Sequence, residues 1–222
     1  MLENFKWGSQ DSETQNYCIN EILENNTYSK IFNVDQGDIV VDLGGSNGIF
    51  SYSILNRKPM FIYVLEAISD QVKLIDENLG EYPHLSIHGA LSEKKTIKEI
   101  RWGSYVDYNI PTFSFEEFIH GFNIPKIDFF KVDIEGGEYD IFKKEHIDYL
   151  LSIPKIVCEF HLHRDESLNN CKFRYFRDNI LPNFSNFHVF SLDGADIKWD
   201  LWNEHFLEYY TEVIFHFDNR TH

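Results

Sequence analysis

A carboxylate followed by a glycine-rich turn stands directly after an apolar run near residue 40. The run Val40–Val41 leads into Asp42, and the turn Gly44–Gly48 follows. The dinucleotide-binding pattern GxGxxG fails here, because Ser46 stands at its third position and Ile49 at its sixth. The phosphate-binding patterns GxxxxGKS and GxxxxGKT are absent as well. The turn therefore suits a ligand with a cationic end and no phosphate; the alternative is an ordinary tight turn without a ligand.

A second carboxylate ends the next apolar run. Glu66 follows residues 61–65 and lies 24 positions after Asp42. An acid about 20 residues after such a turn is placed to accept hydrogen bonds from both hydroxyls of a ribose. Ala67 and Ile68 follow, and both can pack against a purine face. The two acids together predict a nucleoside ligand; the alternative for Glu66 is a solvated carboxylate at the start of a helix.

Charged residues also alternate with apolar ones along two later runs. Lys131 and Asp133 share one face of the first run, and Glu159 shares a face with His161 on the second. Charged groups near the ends of buried strands need partners, so Asp133, Glu159 and His161 are predicted to face a common cleft. The alternative is a structural network in which Lys131 forms a buried ion pair with Asp133 or Glu159 and Glu138 caps a helix. This alternative suits Lys131 and Glu138 better than Asp133.

The elements that position these residues are predicted to form a parallel sheet. The apolar runs do not alternate strictly, which suits strands buried on both faces, and helices separate them. Strands are predicted at residues 39–41, 61–65, 85–88, 127–133, 155–161, 187–192 and 212–217, and helices at 49–55, 68–79, 138–151 and 173–180. In such sheets ligands bind at the carboxyl ends of the strands, where these acids stand.

Two segments depart from this alternation. Residues 9–32 predict one or two helices, and residues 94–115 predict an antiparallel excursion or long loop in which 112–115 form a short strand. No linker composition is present, so we expect a single domain. Within it, a helical segment over residues 1–37 packs on a core over residues 38–222.

The most specific stretch is Lys131-Val132-Asp133-Ile134-Glu135-Gly136-Gly137-Glu138. It resembles the signature K-x-D-x-E-G-x-E of the FkbM family of methyltransferases. The resemblance covers about residues 38–163, and its further segments stand in the family's order at residues 40–51, 66, 90–93, 112–118 and 158–161. Gly45 stands where many members have alanine, a mild change. Residues 112–117 lack the family's usual Thr-Leu-Asp.

This resemblance implies a Rossmann-like class I methyltransferase fold, an α/β architecture whose mostly parallel seven-stranded sheet has helices on both faces. Residues 38–222 would then form an S-adenosylmethionine-binding domain; this cofactor is a nucleoside without phosphate, in agreement with the failed GxGxxG. The implied cofactor contacts are Asp42, Gly44, Gly45, Ser46, Asn47, Gly48, Glu66, Ala67, Ala90, Leu91 and Asp133. The implied reaction is O-methylation of a sugar, a glycan or a small natural product.

Methyl transfer from a sulfonium to an alcohol needs an oriented acceptor and a way to remove its proton. The first hypothesis is metal-free, with Asp133, Glu135 or His161 as general base and Glu159 beside them. The second places a divalent cation such as Mg²⁺ between Asp133 and Glu159. Three further alternatives are another acceptor atom, a noncatalytic cofactor-fold subunit or sensor, and an NAD-dependent oxidoreductase, which the absent GxGxxG disfavours.

Two aromatic segments are candidates for acceptor recognition. Residues 193–208 contain Trp199, Trp202 and Phe206 at helical spacing, which favours an amphipathic helix packed on the core over a pocket wall. Residues 101–110, with Trp102, Tyr105 and Tyr108, are a candidate lid. His163 begins a stretch interpreted as a solvated loop.

Charge and cysteine content narrow the partners. The 222 residues contain 36 Asp and Glu against 20 Lys and Arg, a formal net charge of -16. Such a surface repels phosphate, so we expect no nucleic-acid partner and a small-molecule or glycan acceptor. Three scattered cysteines favour a reducing, cytoplasmic location, and no stretch is long and apolar enough to span a bilayer. The oligomeric state stays open.

Overall fold

The computed structural model describes residues 2–93, 96–102, 105–162, 169–203 and 205–220. His163 and the side chain of Trp102 lie outside this description. The strands are β1 Ile39–Leu43, β2 Phe61–Glu66, β3 His84–His88, β4 Ala90–Leu91, β5 Thr96–Trp102, β6 Tyr105–Phe113, β7 Phe129–Val132, β8 Lys155–His161, β9 Phe187–Phe190 and β10 Glu212–Asp218. The α-helices are α1 Ser12–Cys18, α2 Ile49–Ser53, α3 Ser69–Leu79, α4 Phe115–Gly121, α5 Glu138–Ile141, α6 Ile147–Ser152, α7 Asn169–Tyr175 and α8 Phe206–Tyr209.

The main sheet has seven strands in the order β3-β2-β1-β7-β8-β10-β9. All neighbours pair in parallel except β10, which is antiparallel to both β8 and β9. The strand order reverses at β1, so the carboxyl ends of β1 and β7 border the crevice in which ligands of such sheets bind. The expected mostly parallel seven-stranded α/β sheet is confirmed.

Apolar side chains alternate between the two faces of this sheet, because successive strand residues point to opposite sides. Val40 and Phe129 lie in one buried cluster, together with Ile75 of α3. Val41 and Phe130 lie in the other, together with side chains of α4 and α7. Helices therefore cover both faces. None of the helices in the described ranges is long and apolar enough to cross a membrane.

The segment before β1 packs on the face that carries Val40. After α1 the chain continues through a π-helix, Ile19–Glu24, and a 3-10 turn, Thr27–Ser29. Tyr28, Phe32 and Val34 are buried there in the same cluster as Val40. This segment therefore belongs to the core and reaches the carboxyl edge of the sheet.

The region between β4 and β7 agrees only in part with the antiparallel excursion or long loop predicted for residues 94–115. β5 and β6 form an antiparallel hairpin, as one of the two predicted alternatives had it. The predicted short strand at residues 112–115 is confirmed for Thr112 and Phe113, which end β6, and is wrong beyond them, because α4 begins at Phe115. Ser114 caps that helix: its side chain accepts a hydrogen bond from the Glu117 amide, and the Glu117 side chain accepts one from the Ser114 amide.

The aromatic segment near the C-terminus does not form the predicted amphipathic helix. Residues 198–200 form a 3-10 turn and α8 spans only four residues. Phe206 is buried, but the side chains of Trp199 and Trp202 are 78% and 56% exposed. The prediction that these tryptophans pack on the core is therefore wrong.

Candidate active site

The glycine turn after β1 is shaped by its contact with the loop after β7. Gly44 has φ 76°, and a Cβ built there would lie 1.7 Å from the backbone oxygen of Asp133. Only glycine allows this approach. The adjacent Gly45 is restricted too, since its Cβ would lie 2.2 Å from Val64 Cγ1. Alanine at position 45, expected to be a mild change, does not fit without movement of Val64.

Asp42 lies beneath this turn and does not line a cleft. Its side chain is fully buried, Oδ2 accepts a hydrogen bond from Ser51 Oγ at 2.7 Å, and Oδ1 lies 3.3 Å from Lys131 Nζ. Burial raises the pKa of Asp42 against the opposing effect of Lys131. Asp42 is thus held as a buried ion-pair partner, and a direct cofactor contact from its carboxylate stays a prediction.

Lys131 ties the turn to β7. Its ammonium donates to the carbonyl oxygen of Gly44 at 2.7 Å and lies 3.4 Å from Asp133 Oδ2, which is one of the ion pairs expected for it. Burial lowers the pKa of Lys131, but the charges of Asp42 and Asp133 outweigh it and raise the pKa. The lysine therefore stays charged, and it positions Asp133 beside the glycine turn.

Glu66 links the start of helix α3 to the glycine turn through hydrogen bonds. Its carboxylate accepts hydrogen bonds from the amides of Ser46 and Ile68, both at 2.8 Å. Burial raises the pKa of Glu66 to about 7, although these two hydrogen bonds lower it. Both carboxylate oxygens already bind the backbone, so a ribose contact from Glu66 remains a prediction.

Five other predicted cofactor residues do not line the cleft described next. They are Asn47, Gly48, Ala67, Ala90 and Leu91. Ala90 and Leu91 pair with β6, and Leu91 borders a separate cavity next to Ser114 and Phe115.

Asn47 is buried at the end of the turn and contacts the N-terminal segment. Its side-chain Nδ2 donates to Gln10 Oε1 at 2.8 Å, and its backbone carbonyl oxygen accepts from Asn78 Nδ2 at 2.9 Å. Asn47 Oδ1 and Gln10 Nε2 have no hydrogen-bond partner among the described residues, although both atoms are buried. A buried acceptor and a buried donor without partners suit the hydroxyl groups of a bound ligand. This part of the chain thus fits a nucleoside.

A cleft of about 630 Å³, including the part open to solvent, lies at the carboxyl ends of β1, β7 and β8. It brings together Gly44, Gly45, Ser46, Asp133, Glu135, Glu159 and His161 of the predicted site residues. The other lining residues are Tyr17, Cys18, Glu21, Ile22, Tyr28, Ile49, Phe50, Lys131 and Glu212. Ser46 and Glu135 have φ of 48° and 54°, a left-handed conformation that side chains disfavour and that is frequent at functional sites.

The hydroxyl of Tyr28 lies between two carboxyl groups of this cleft. It is 3.0 Å from Asp133 Oδ2 and 3.0 Å from Glu159 Oε2, and its ring covers Lys131 Nζ at 5.1 Å. One hydroxyl proton serves only one acceptor at a time, so the second contact needs a proton on a carboxyl group. Burial, the charge of Asp133 and that of Glu21 raise the pKa of Glu159 well above its usual range. Of the two carboxyl groups, Glu159 is therefore the one that more readily holds this proton.

His161 faces the same cleft, and Glu138 binds the ring nitrogen that points away from it. Its Nδ1 donates to Glu138 Oε1 at 2.9 Å, and its Nε2 lies 3.4 Å from Glu135 Oε2 and 3.9 Å from Asp133 Oδ1. Burial lowers the pKa of His161, but the Glu138 hydrogen bond and the surrounding carboxylates raise it to about 10. Nε2 is thus the titrating atom that points toward the cleft.

Asp133, Glu159 and His161 also suit a cation. One ligand atom from each lies within 4.8 Å of the others. Two carboxylates and an imidazole are donors that divalent metals accept in proteins. The predicted metal pair Asp133 and Glu159 is thus brought together, with His161 as a third donor.

Sequence reasoning missed three residues of this site. Tyr28 lies in the segment predicted to be helical, residues 9–32, where an apolar residue is typical of the core. Glu21 stands in a polar segment without a motif. Glu138 was interpreted as an ion-pair or helix-capping residue.

Comparison with known proteins agrees with this architecture. The family model of the methyltransferase FkbM domain matches residues 65–186, more than half of the chain. No curated protein sequence matches the chain.

Three solved structures are similar in fold. The complex between the Haloferax volcanii Trm112 methyltransferase activator and a proposed methyltransferase gives a TM-score of 0.50 at 11% identity, covering 97% of this chain and 95% of that one. An rRNA methylase from Streptococcus thermophilus gives 0.49 at 9% identity, covering 88% and 93%. M. capricolum TrmK in complex with S-adenosyl-homocysteine gives 0.47 at 12% identity, covering 90% and 69%.

At 11% identity, the structure with the TM-score of 0.50 supports a similarity of fold and nothing more. The sheet order with one antiparallel strand, the helices on both faces and the match over residues 65–186 point to one conclusion. The chain has the Rossmann-like class I methyltransferase fold and belongs to the FkbM family of methyltransferases.

Proposed function

We propose that the protein is an S-adenosylmethionine-dependent O-methyltransferase that acts on a hydroxyl group of a sugar, a glycan or a small natural product. Family membership supports methyl transfer. The observation that carries the proposal is the imidazole of His161, which is backed by Glu138 at Nδ1 and directs Nε2 into the cleft beside the glycine turn.

The cleft has the charge that a sulfonium compound requires. Its lining includes five acids, Glu21, Asp133, Glu135, Glu159 and Glu212. Its two basic side chains, Lys131 and His161, are already paired with buried carboxylates. When bound, S-adenosylmethionine would supply a methyl group on a positively charged sulfur. We propose that the Gly44–Gly48 turn and Asp133 hold its amino-acid end and that Asn47 and Gln10 bind its nucleoside hydroxyls.

The histidine and the acids have separate roles in removing the acceptor's proton and in orienting the acceptor. Neutral His161 accepts the acceptor's proton at Nε2, because Glu138 keeps the other ring nitrogen as a donor. Glu135 and Asp133 stabilise the imidazolium that this transfer produces. Protonated Glu159 and Tyr28 hold Asp133 in place and orient the acceptor.

The acceptor is a small neutral or cationic molecule in this proposal. A phosphate group would meet the five acids of the cleft, and their repulsion disfavours nucleic acid. Nucleic acid is nevertheless the competing acceptor class to test, because the structurally similar proteins include an rRNA methylase.

The test is release of S-adenosylhomocysteine from S-adenosylmethionine in the presence of separate pools of polyols, glycans, natural-product alcohols and total RNA. We expect product with a hydroxylated small-molecule pool and none with RNA, and loss of product in Asp133→Ala. Product with RNA alone would contradict the acceptor assignment. Tight cofactor binding without product from any pool would favour a noncatalytic subunit or sensor.

A metal-assisted reaction is the second candidate, favoured by the proximity of Asp133, Glu159 and His161. A cation there would bind the acceptor oxygen and lower its pKa. Activity that is lost with a chelator and restored by Mg²⁺ would establish this route. Full activity in the chelator, with no metal in the purified protein, would exclude it.

A further inference from the structure

We infer that Glu138 is a positioning residue for His161. This inference rests on the proposed function, because Glu138 orients the ring whose nitrogen accepts the proton in that function. Glu138 lies behind the imidazole and does not line the cleft. Its role is to keep the proton on Nδ1, so that a neutral ring presents its lone pair at Nε2.

The geometry around Glu138 fixes its carboxylate firmly. The side chain is fully buried. Its Oε1 accepts from His161 Nδ1 at 2.9 Å, from the Ile134 amide at 3.1 Å and from the Gly136 amide at 3.2 Å. Three donors from two elements therefore converge on one oxygen, and the imidazole cannot rotate without breaking this arrangement.

The same contacts stabilise the loop between β7 and α5. This loop carries Asp133 and Glu135, and Glu135 has the left-handed backbone conformation that side chains disfavour. The amides of Ile134 and Gly136 flank Glu135, and both donate to Glu138. One carboxylate thereby sets the orientation of His161 and the conformation of the loop that faces it.

A helix-capping role does not explain these contacts. Glu138 is the first residue of α5, and the residue before it, Gly137, makes no side-chain cap. The amides that Glu138 binds precede the helix instead. The sequence-based interpretation of Glu138 as a helix cap is therefore wrong.

The test compares Glu138→Met, which removes the acceptor oxygen, with wild type, and Asp140→Asn is the matched control. Asp140 lies on the same short helix, with its carboxylate partly exposed and 3.6 Å from Lys143 Nζ. For each protein we would measure kcat, KM and the dissociation constant for S-adenosylmethionine. The ¹⁵N signals of His161, assigned with a His161→Gln variant, report which ring nitrogen carries the proton when the ring is neutral.

We expect Glu138→Met to lower kcat by roughly 10²-fold or more. Its dissociation constant for S-adenosylmethionine should change by less than about threefold. Its neutral His161 ring should carry the proton on Nε2, beside Glu135, instead of on Nδ1. Asp140→Asn should behave as wild type. If Glu138→Met does not fold, Glu138→Asp gives the same readouts, with an intermediate kcat because the charge remains but the carboxylate is withdrawn.

An unchanged kcat, or a neutral ring that keeps its proton on Nδ1 without the Glu138 carboxylate, would overturn the inference. A wild-type protein that binds no S-adenosylmethionine would overturn the proposed function instead. In that case the ¹⁵N signals still decide whether Glu138 orients His161, so the two failures are distinguishable.

Discussion

Acids stand at the carboxyl ends of two pairs of neighbouring strands, and the two pairs of acids have different partners. At the ends of β1 and β2, Asp42 and Glu66 are bound by Lys131, Ser51 and backbone amides. At the ends of β7 and β8, Asp133 and Glu159 meet each other through Tyr28 and face His161 across an open cleft. The acids of the first pair are held by groups of the fold itself and serve its structure, whereas the acids of the second pair contact one shared hydroxyl beside the cleft and are placed for chemistry.

The comparison predicts that changes at the first pair reduce stability and that changes at the second reduce turnover. The largest effect is expected for Lys131→Met, which leaves the buried Asp42 carboxylate without its cation. The free energy of unfolding should fall by about 3–5 kcal/mol in chemical denaturation. Lys73→Met, which removes an exposed ion pair with Asp70, should leave the free energy of unfolding almost unchanged. Equal effects of the two substitutions would break the comparison.

His161→Gln tests the second pair. We expect turnover to fall roughly 10²–10⁴-fold, since the proton-accepting nitrogen is lost. The control is His205→Gln, whose exposed ring contacts Glu208 at 2.9 Å; it should retain activity. Methyl-transfer rates and thermal melting would be measured on both. A loss of stability as large as the loss of activity would place His161 among the structural residues.

Gly45→Ala tests how closely the glycine turn is packed. The added methyl group collides with Val64, so we expect a loss of about 1–3 kcal/mol in unfolding free energy. Gly121→Ala is the matched control, because a Cβ at Gly121 meets nothing within 4 Å. A stable Gly45→Ala protein would show that Val64 moves freely.

The smallest effect is a shift in pH dependence. The pKa of His161 is raised to about 10, so the ring is protonated at neutral pH and the basic form increases as pH rises. The value of kcat/KM should therefore rise about tenfold per pH unit from pH 7 toward the pKa of His161. Glu135→Gln removes a carboxylate 3.4 Å from Nε2, which lowers the pKa, and should move this rise to lower pH by about one unit. An unmoved profile would show that another group controls it.

The strands were predictable from sequence because continuous apolar runs mark strands buried on both faces. The bounds Lys155–His161 agree with the prediction, and the remaining main-sheet strands lie within a few residues of theirs. The predicted helix over residues 138–151 is interrupted at Phe142, whose ψ of 70° is not helical. No glycine or proline marks this break. Phe142 instead packs against Phe160, Phe176 and Phe217, and this long-range packing overrides the local preference.

Helix α4 illustrates a local signal that was present but not used. Ser114 and Glu117 have the spacing of a capping box, which predicts a helix start where a strand was expected. The site was predictable only in part, for a different reason. Strand alternation placed Asp133, Glu159 and His161 on one cleft, but the meeting of Tyr28 with two of them joins residues more than 100 positions apart.

The most direct test of the central claim is transfer of a labelled methyl group from S-adenosylmethionine to a hydroxylated acceptor pool, by wild type and by His161→Gln side by side. We predict that the wild-type protein labels an acceptor oxygen and that His161→Gln does so at roughly one hundredth of that rate or less. Equal rates for the two proteins, or a wild-type protein that labels no hydroxyl group, would contradict it.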